Sequence, residues 1–202
     1  MFRIINISVL IKILVGVTVA FSIALYAMID WFLPGTSLIK LFTIASAVSA
    51  VLITAVSSSF ISRKIWSLLS LFDGSLFPDI NGAWEGEITF GETKLVTRAI
   101  IRQTLSYTQI DLHTPTSKSI TLESTPVTEG GQARLYYVHR VTPRNPDWYT
   151  YTGSTLFDIR RVEIKGNVRL ELSGSYYTDR KTTGRIRLQQ FSKEVTTDVS
   201  YY

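Results

Sequence analysis

Two long apolar runs open the chain, and past Leu71 they give way to short runs in which apolar and polar side chains alternate. Between Lys12 and Asp30 the sequence is ILVGVTVAFSIALYAMI, and from Leu41 to Ser62 it is LFTIASAVSAVLITAVSSSFIS, both without a charge. A helix needs about 20 such residues to cross about 30 Å of hydrocarbon. The second run meets this as it stands. The first meets it with Ile4–Ile11 included, Lys12 reaching the interface along its own stem. A signal peptide fits less well, because the run is long and is followed by Asp30-Trp31 rather than a small-residue cleavage site. The link Asp30–Gly35 is short, with an interfacial Trp31 and a Pro34-Gly35 turn, so the pattern predicts a transmembrane helical hairpin. Arg3 and Lys12 precede it, Arg63 and Lys64 follow it, and only Lys40 lies in the loop, which places both termini in the cytosol. Gly16, Ala20 and Ala24 on the first helix, and Ser46, Ala50 and Thr54 on the second, recur every four residues. Small residues at that spacing allow close packing in lipid, within the hairpin or between protomers.

The alternating region predicts an all-β domain. Strands are expected near 82–90, 94–103, 106–113, 118–125, 132–141, 150–160, 161–165 turning into 167–176, and 183–191, separated by turns such as Glu129-Gly130-Gly131 and Gly166-Asn167. About eight antiparallel strands without helices suggest a lipocalin-like β-barrel or a sandwich. An eight-stranded barrel has an interior just wide enough for side chains or one small ligand. The expected organisation is a two-helix transmembrane hairpin over 1–66, a linker over 67–80 and a cytosolic, ligand-sensing β-barrel over 81–202. Trp84, in Gly-Ala-Trp-Glu-Gly at 82–86, would plug one end of the barrel, as core or as a ligand contact.

Charge refines the picture. The net charge is +5, but residues 1–72 hold five bases and one acid, while 73–202 hold sixteen bases and fifteen acids. The basic character therefore belongs to the membrane flanks, and no DNA or RNA polymer is expected as a partner. Absence of cysteine excludes disulfides and thiolate chemistry. Two histidines, His113 and His139, cannot build a His-rich metal site, and there is no phosphate-binding loop or nucleophile elbow. Acids are scattered one per strand or turn. We expect no enzyme, catalytic residue, metal or cofactor.

Hydroxyls, aromatics and arginines are what remain. They cluster in Thr114–Ser119, in Arg134–Arg140 and in Gly174–Gly184. Aromatic faces with cations and hydroxyls suit a ligand of stacked bases and phosphates, stacking being worth about 1–3 kcal/mol per base. The same residues would also serve in solvated turns and on a barrel's outer skin.

The order of parts resembles the two-transmembrane, β-strand-rich effectors of CBASS, the cyclic-oligonucleotide-based antiphage signalling systems. The resemblance rests on the membrane hairpin, Gly-Ala-Trp-Glu-Gly at 82–86, Ile101-Arg102-Gln103, the Thr114–Ser119 stretch and Leu135-Tyr136-Tyr137-Val138. Thr152-Gly153, Leu172 through Arg180 and Gly184-Arg185-Ile186 complete it. It implies a barrel that binds a cyclic dinucleotide made by a partner nucleotidyltransferase. Binding would drive self-association, and the clustered hairpins would disrupt the bacterial inner membrane in an abortive infection. Carried onto this sequence, the implied ligand contacts are Gln103, Thr114, Ser119, Tyr137, Tyr177, Thr178 and Arg180. Two other readings stand beside it: a membrane-tethered, lipocalin-like carrier of an apolar molecule, and a membrane scaffold that recruits another protein.

Overall fold

A computed structural model of the chain describes residues 7–32, 37–58, 61, 64, 77–104, 107–164 and 166–201. They divide into a helical unit within Ile5–Gly74 and a β unit from Ser75 onwards. In the helical unit, α1 (Ile7–Phe32) and α2 (Leu38–Ser57) touch each other. Val15, Val17, Val19, Phe21, Ile23 and Met28 of α1 all stand exposed. Over Val15–Phe32 this helix is long and apolar enough to cross a bilayer, and it is the one stretch among the described residues that passes that test. On α2 the Thr54 hydroxyl donates to the Ala50 carbonyl at 2.8 Å, which hides its polarity inside the helix. The expected Pro34-Gly35 turn, and the expected linker up to residue 76, lie outside the described residues.

The β unit is a closed antiparallel meander of eight strands: β1 (Gly82–Phe90), β2 (Thr93–Gln103), β3 (Thr108–His113), β4 (Ser117–Glu129), β5 (Gln132–Pro143), β6 (Tyr151–Ile164), β7 (Asn167–Thr178) and β8 (Thr183–Ser192). β8 returns to pair with β1, so the sheet has the barrel form expected of its alternation. Successive side chains point to opposite faces of a strand. Trp84, Ile101, Ile110, Leu135, Phe157, Leu172 and Leu188 accordingly meet in the interior, each fully buried. Where neighbouring strands press together, only glycine fits: a Cβ on Gly86 would lie 1.8 Å from the Arg187 carbonyl oxygen, and one on Gly174 1.9 Å from that of Leu156.

Two strands run further than their sequence suggests. No break divides β6 near 160, because Ile159–Ile164 continue in unbroken register with Asn167–Leu172. β4 continues through Pro126 to Glu129. The reason lies on its β3 side, where backbone partners are limited to Leu112↔Ser119 and His113↔Lys118, leaving the rest of β4 edge-like and tolerant of proline. Hydroxyls stitch that seam. Thr121 Oγ1 accepts from the Ile110 amide at 2.7 Å and donates to its carbonyl at 3.0 Å, and Ser124 donates to the Thr108 carbonyl.

One end of the barrel is filled. Phe77, Ile80 and Trp84 are buried there, and the Trp84 indole N–H donates to the Ile80 carbonyl at 3.0 Å. Outside the sheet, Val195 and Val199 cover the outward-facing Ala83 and Ile100, while the Arg98 guanidinium lies 5.0 Å from the Tyr201 ring centre.

Candidate functional site

At the opposite end the packing stops short of the rim and leaves a cavity of about 260 Å³. On β5, Tyr137 and His139 are two residues apart, so both face it. Their rings stack with centres 4.6 Å apart and planes 18° from parallel, and Phe157 lies beneath Tyr137 at 6.2 Å. The Tyr137 hydroxyl lies 3.3 Å from that of Ser119 and donates to the Ile110 carbonyl at 3.3 Å. Burial pushes the Tyr137 phenol up, against the opposing pull of the Ser119 and Thr121 hydroxyls, so it stays protonated. Burial also pushes the His139 imidazole down, to about 4, so the ring is neutral. The cross-strand partner of His139 is Gly153, where an added Cβ would stand 2.7 Å from Nε2. Absence of a side chain at Gly153 is what makes room for the ring.

Two turns build the rim. In the first, Thr114 Oγ1 accepts from the Ser117 amide at 2.9 Å and sits 2.9 Å from the Ser117 hydroxyl, so the side chain holds the β3–β4 turn closed. In the second, between β7 and β8, the Thr178 amide donates to the Thr182 carbonyl at 3.0 Å, and Lys181 adopts φ 61° to complete the turn. Asp179 fastens this turn to β6: its carboxylate accepts from the Thr152 amide at 2.9 Å and hydroxyl at 2.8 Å, and its own amide donates to the Thr152 carbonyl at 3.0 Å. Those two Thr152 donors hold the Asp179 carboxyl below the usual carboxylate range. Arg180 follows, with its guanidinium 4.2 Å from the Tyr151 ring centre and donating to the Tyr149 carbonyl. A cation over an aromatic face is favoured by the ring quadrupole, so Arg180 is held above the mouth.

Ile88, Leu95, Leu112, Val141 and Ile186 supply apolar walls, and the hydroxyls of Thr114, Ser117, Ser119, Thr155 and Thr178 break them up. Among the described residues lining the cavity, Arg180 carries the one formal charge, and no acid is present. Such a space takes a flat, partly polar group inside and an anion at the rim. No cluster of metal-ligating side chains occurs among the described residues.

Five of the seven residues named from sequence line this cavity: Thr114, Ser119, Tyr137, Thr178 and Arg180. Tyr177 does not, since its neighbours Tyr176 and Thr178 face inward and it therefore stands on the outer surface. Gln103 belongs to the filled end. Its side-chain oxygen accepts from the Ile80 amide at 2.9 Å, and Asn81 bonds its backbone amide and carbonyl at 2.7 and 3.1 Å. The structure adds His139, Trp148, Tyr151, Thr155 and Tyr176 to the lining. Strand parity counted from Tyr137 would have found His139. Thr155 and Tyr176 needed the β5–β6 and β6–β7 registers, which no single strand reveals.

No curated protein and no solved structure matches this chain. The family model for the Cap15 cyclic dinucleotide receptor domain does match, over residues 75–190, a span that contains every lining residue of the cavity. That span is more than half of the chain and begins where the β unit begins. The receptor model thus covers all but the last two residues of the closed barrel with its hydroxyl- and aromatic-lined mouth, and the chain belongs to the Cap15 family of CBASS effectors, defined by their cyclic dinucleotide receptor domain.

Proposed function

We propose that this protein is a membrane-anchored sensor in antiphage defence. Its barrel binds a cyclic dinucleotide supplied by a nucleotidyltransferase, and binding drives the helices of several copies together to disrupt the bacterial inner membrane. The observation that carries the reading is the acid-free cavity, in which hydroxyls and stacked aromatics converge beneath Arg180. A carrier of an apolar molecule would have no use for that arginine or for the hydroxyls.

In this reading Thr114, Ser119, Tyr137, Thr178 and Arg180 contact the ligand. A base enters against the Tyr137–His139 stack, and the phosphates lie at the rim between Arg180 and the Thr114 turn. At about 260 Å³ the cavity is smaller than the clefts of roughly 300–1,000 Å³ that enclose a drug-sized molecule. A ligand of two nucleosides therefore extends from the mouth, towards the exposed Trp148 and Tyr149.

For the membrane part we propose two spans with both termini cytoplasmic. α1 passes the crossing test, and α2 is a 20-residue apolar helix whose one charge is Lys40. A helix of that length spans about 30 Å. A ligand shifts an assembly equilibrium only by its differential affinity for the two states. The test is sedimentation of the detergent-solubilised full chain with and without saturating cyclic dinucleotide. A larger species is expected, and an unchanged profile despite measured binding would refute ligand-driven assembly.

A further inference from the structure

His139 enters the reading above only through the ring it stacks on Tyr137, yet it is the most conspicuous polar group in the cavity wall. Its side chain is more than nine-tenths buried, its ring is locked between the Tyr137 stack and the bare backbone of Gly153, and its Nδ1 has no hydrogen-bond partner. Buried nitrogens without partners are rare in folded proteins and call for an explanation. Packing does not supply one: phenylalanine would fill the same slot, stack on Tyr137 and bury no orphaned atom. With the ring neutral, one nitrogen donates and the other accepts, so the imidazole can offer a base edge one directional hydrogen bond.

We propose that His139 is a specificity-determining residue: it hydrogen-bonds the edge of the base that enters the cavity and thereby sets which cyclic dinucleotide the barrel accepts. The inference rests on the cyclic-dinucleotide reading of the site. A site built to hydrogen-bond its ligand rejects an analogue lacking the matching group, because the buried partner is then left unpaired. Stacking on the Tyr137–His139 pair tolerates any base, so discrimination falls to directional groups, and His139 is the one imidazole among the hydroxyls of the wall.

The experiment measures binding of three cyclic dinucleotides to the full chain in detergent: one with two adenines, one with two guanines, and one with a uracil and an adenine. The variants are His139→Phe, which keeps the stacked ring without nitrogens, and His139→Asn, which keeps a polar atom near the position of Nδ1. His139→Phe is expected to melt no lower than the parent, to bind the preferred ligand at least tenfold more weakly, and to lose at least tenfold of the ratio between best and worst ligands. His139→Asn is expected to retain more of that ratio than His139→Phe. Should both variants keep the parent's affinities and ratios, His139 has no role in selection, and the functional reading is untouched. If the parent binds none of the three, the cyclic-dinucleotide reading fails and this inference fails with it.

Discussion

Trp84 and Arg180 mark the two kinds of residue in this barrel. The indole is fully buried and hydrogen-bonded at the filled end, so Trp84→Ala should cost about 3–5 kcal/mol, read as a shift in the urea midpoint. The guanidinium is exposed and held by Tyr151 and the Tyr149 carbonyl. Arg180→Ala should therefore weaken cyclic dinucleotide binding about tenfold or more, the 1.5–3 kcal/mol of a charge-assisted hydrogen bond, and leave the melting temperature nearly unchanged. Equal losses in both would mark it as a structural residue. His139 adds a pH dependence. Its folded-state pKa of about 4 lies below the ordinary 6.5, so the unfolded chain takes up the proton first. The stability present above pH 6.5 is then lost as pH falls towards 4, by an amount on the order of 3 kcal/mol. In His139→Phe that part of the slope should vanish from denaturation curves between pH 7 and 4, leaving what His113 contributes and, nearer pH 4, what Glu171 and Asp179 contribute. Glu171 went unnoticed in the sequence because its environment is entirely non-local. Its carboxylate, 1% exposed, receives Arg187 at 2.7 Å from β8 and Arg160 at 3.2 Å from β6. Burial alone would raise its pKa, but the bonds from Arg187 and Gln189 and both guanidinium charges hold it below the usual value.

Elements were more legible than contacts. The β6–β7 hairpin is written into Val162, Ile164, Gly166, Asn167, Val168 and Leu170, and it is where the alternation places it. Gly166 there has φ 77°, a left-handed turn conformation that a glycine adopts at little cost. What the pattern hid was the weak β3–β4 ladder, because alternation reports which face is buried and says nothing of how completely neighbours pair. Side-chain hydroxyls replace the missing backbone bonds there, so Thr121→Val should loosen the seam selectively. Hydrogen exchange at the Ile110 amide, which donates to Thr121, should speed up at least tenfold, while core amides of β7 stay protected. Uniform acceleration would mean global destabilisation instead. The cavity belongs to the same class of hidden feature. Its residues come from the mouth ends of all the strands, and only the closed register of the barrel brings them together.

For the whole molecule, the proposed function divides into two separable physical tasks, anchoring by apolar helices and sensing by a barrel with its own buried core. If two helices span the bilayer, the chain should stay in the pellet through an alkaline carbonate wash, and reporters fused to either terminus should both register as cytoplasmic. Release into the supernatant would refute the anchoring.

Because β8 closes on β1, the barrel has no edge strand, and where β4 pairs sparsely with β3 the Thr121 and Ser124 hydroxyls bond the β3 backbone that another chain would need. The commonest route by which β proteins polymerise in an uncontrolled way is thereby shut. If copies gather in the membrane as proposed, they can lie side by side without zipping into fibrils, and their assembly is left to surfaces that a small molecule can govern.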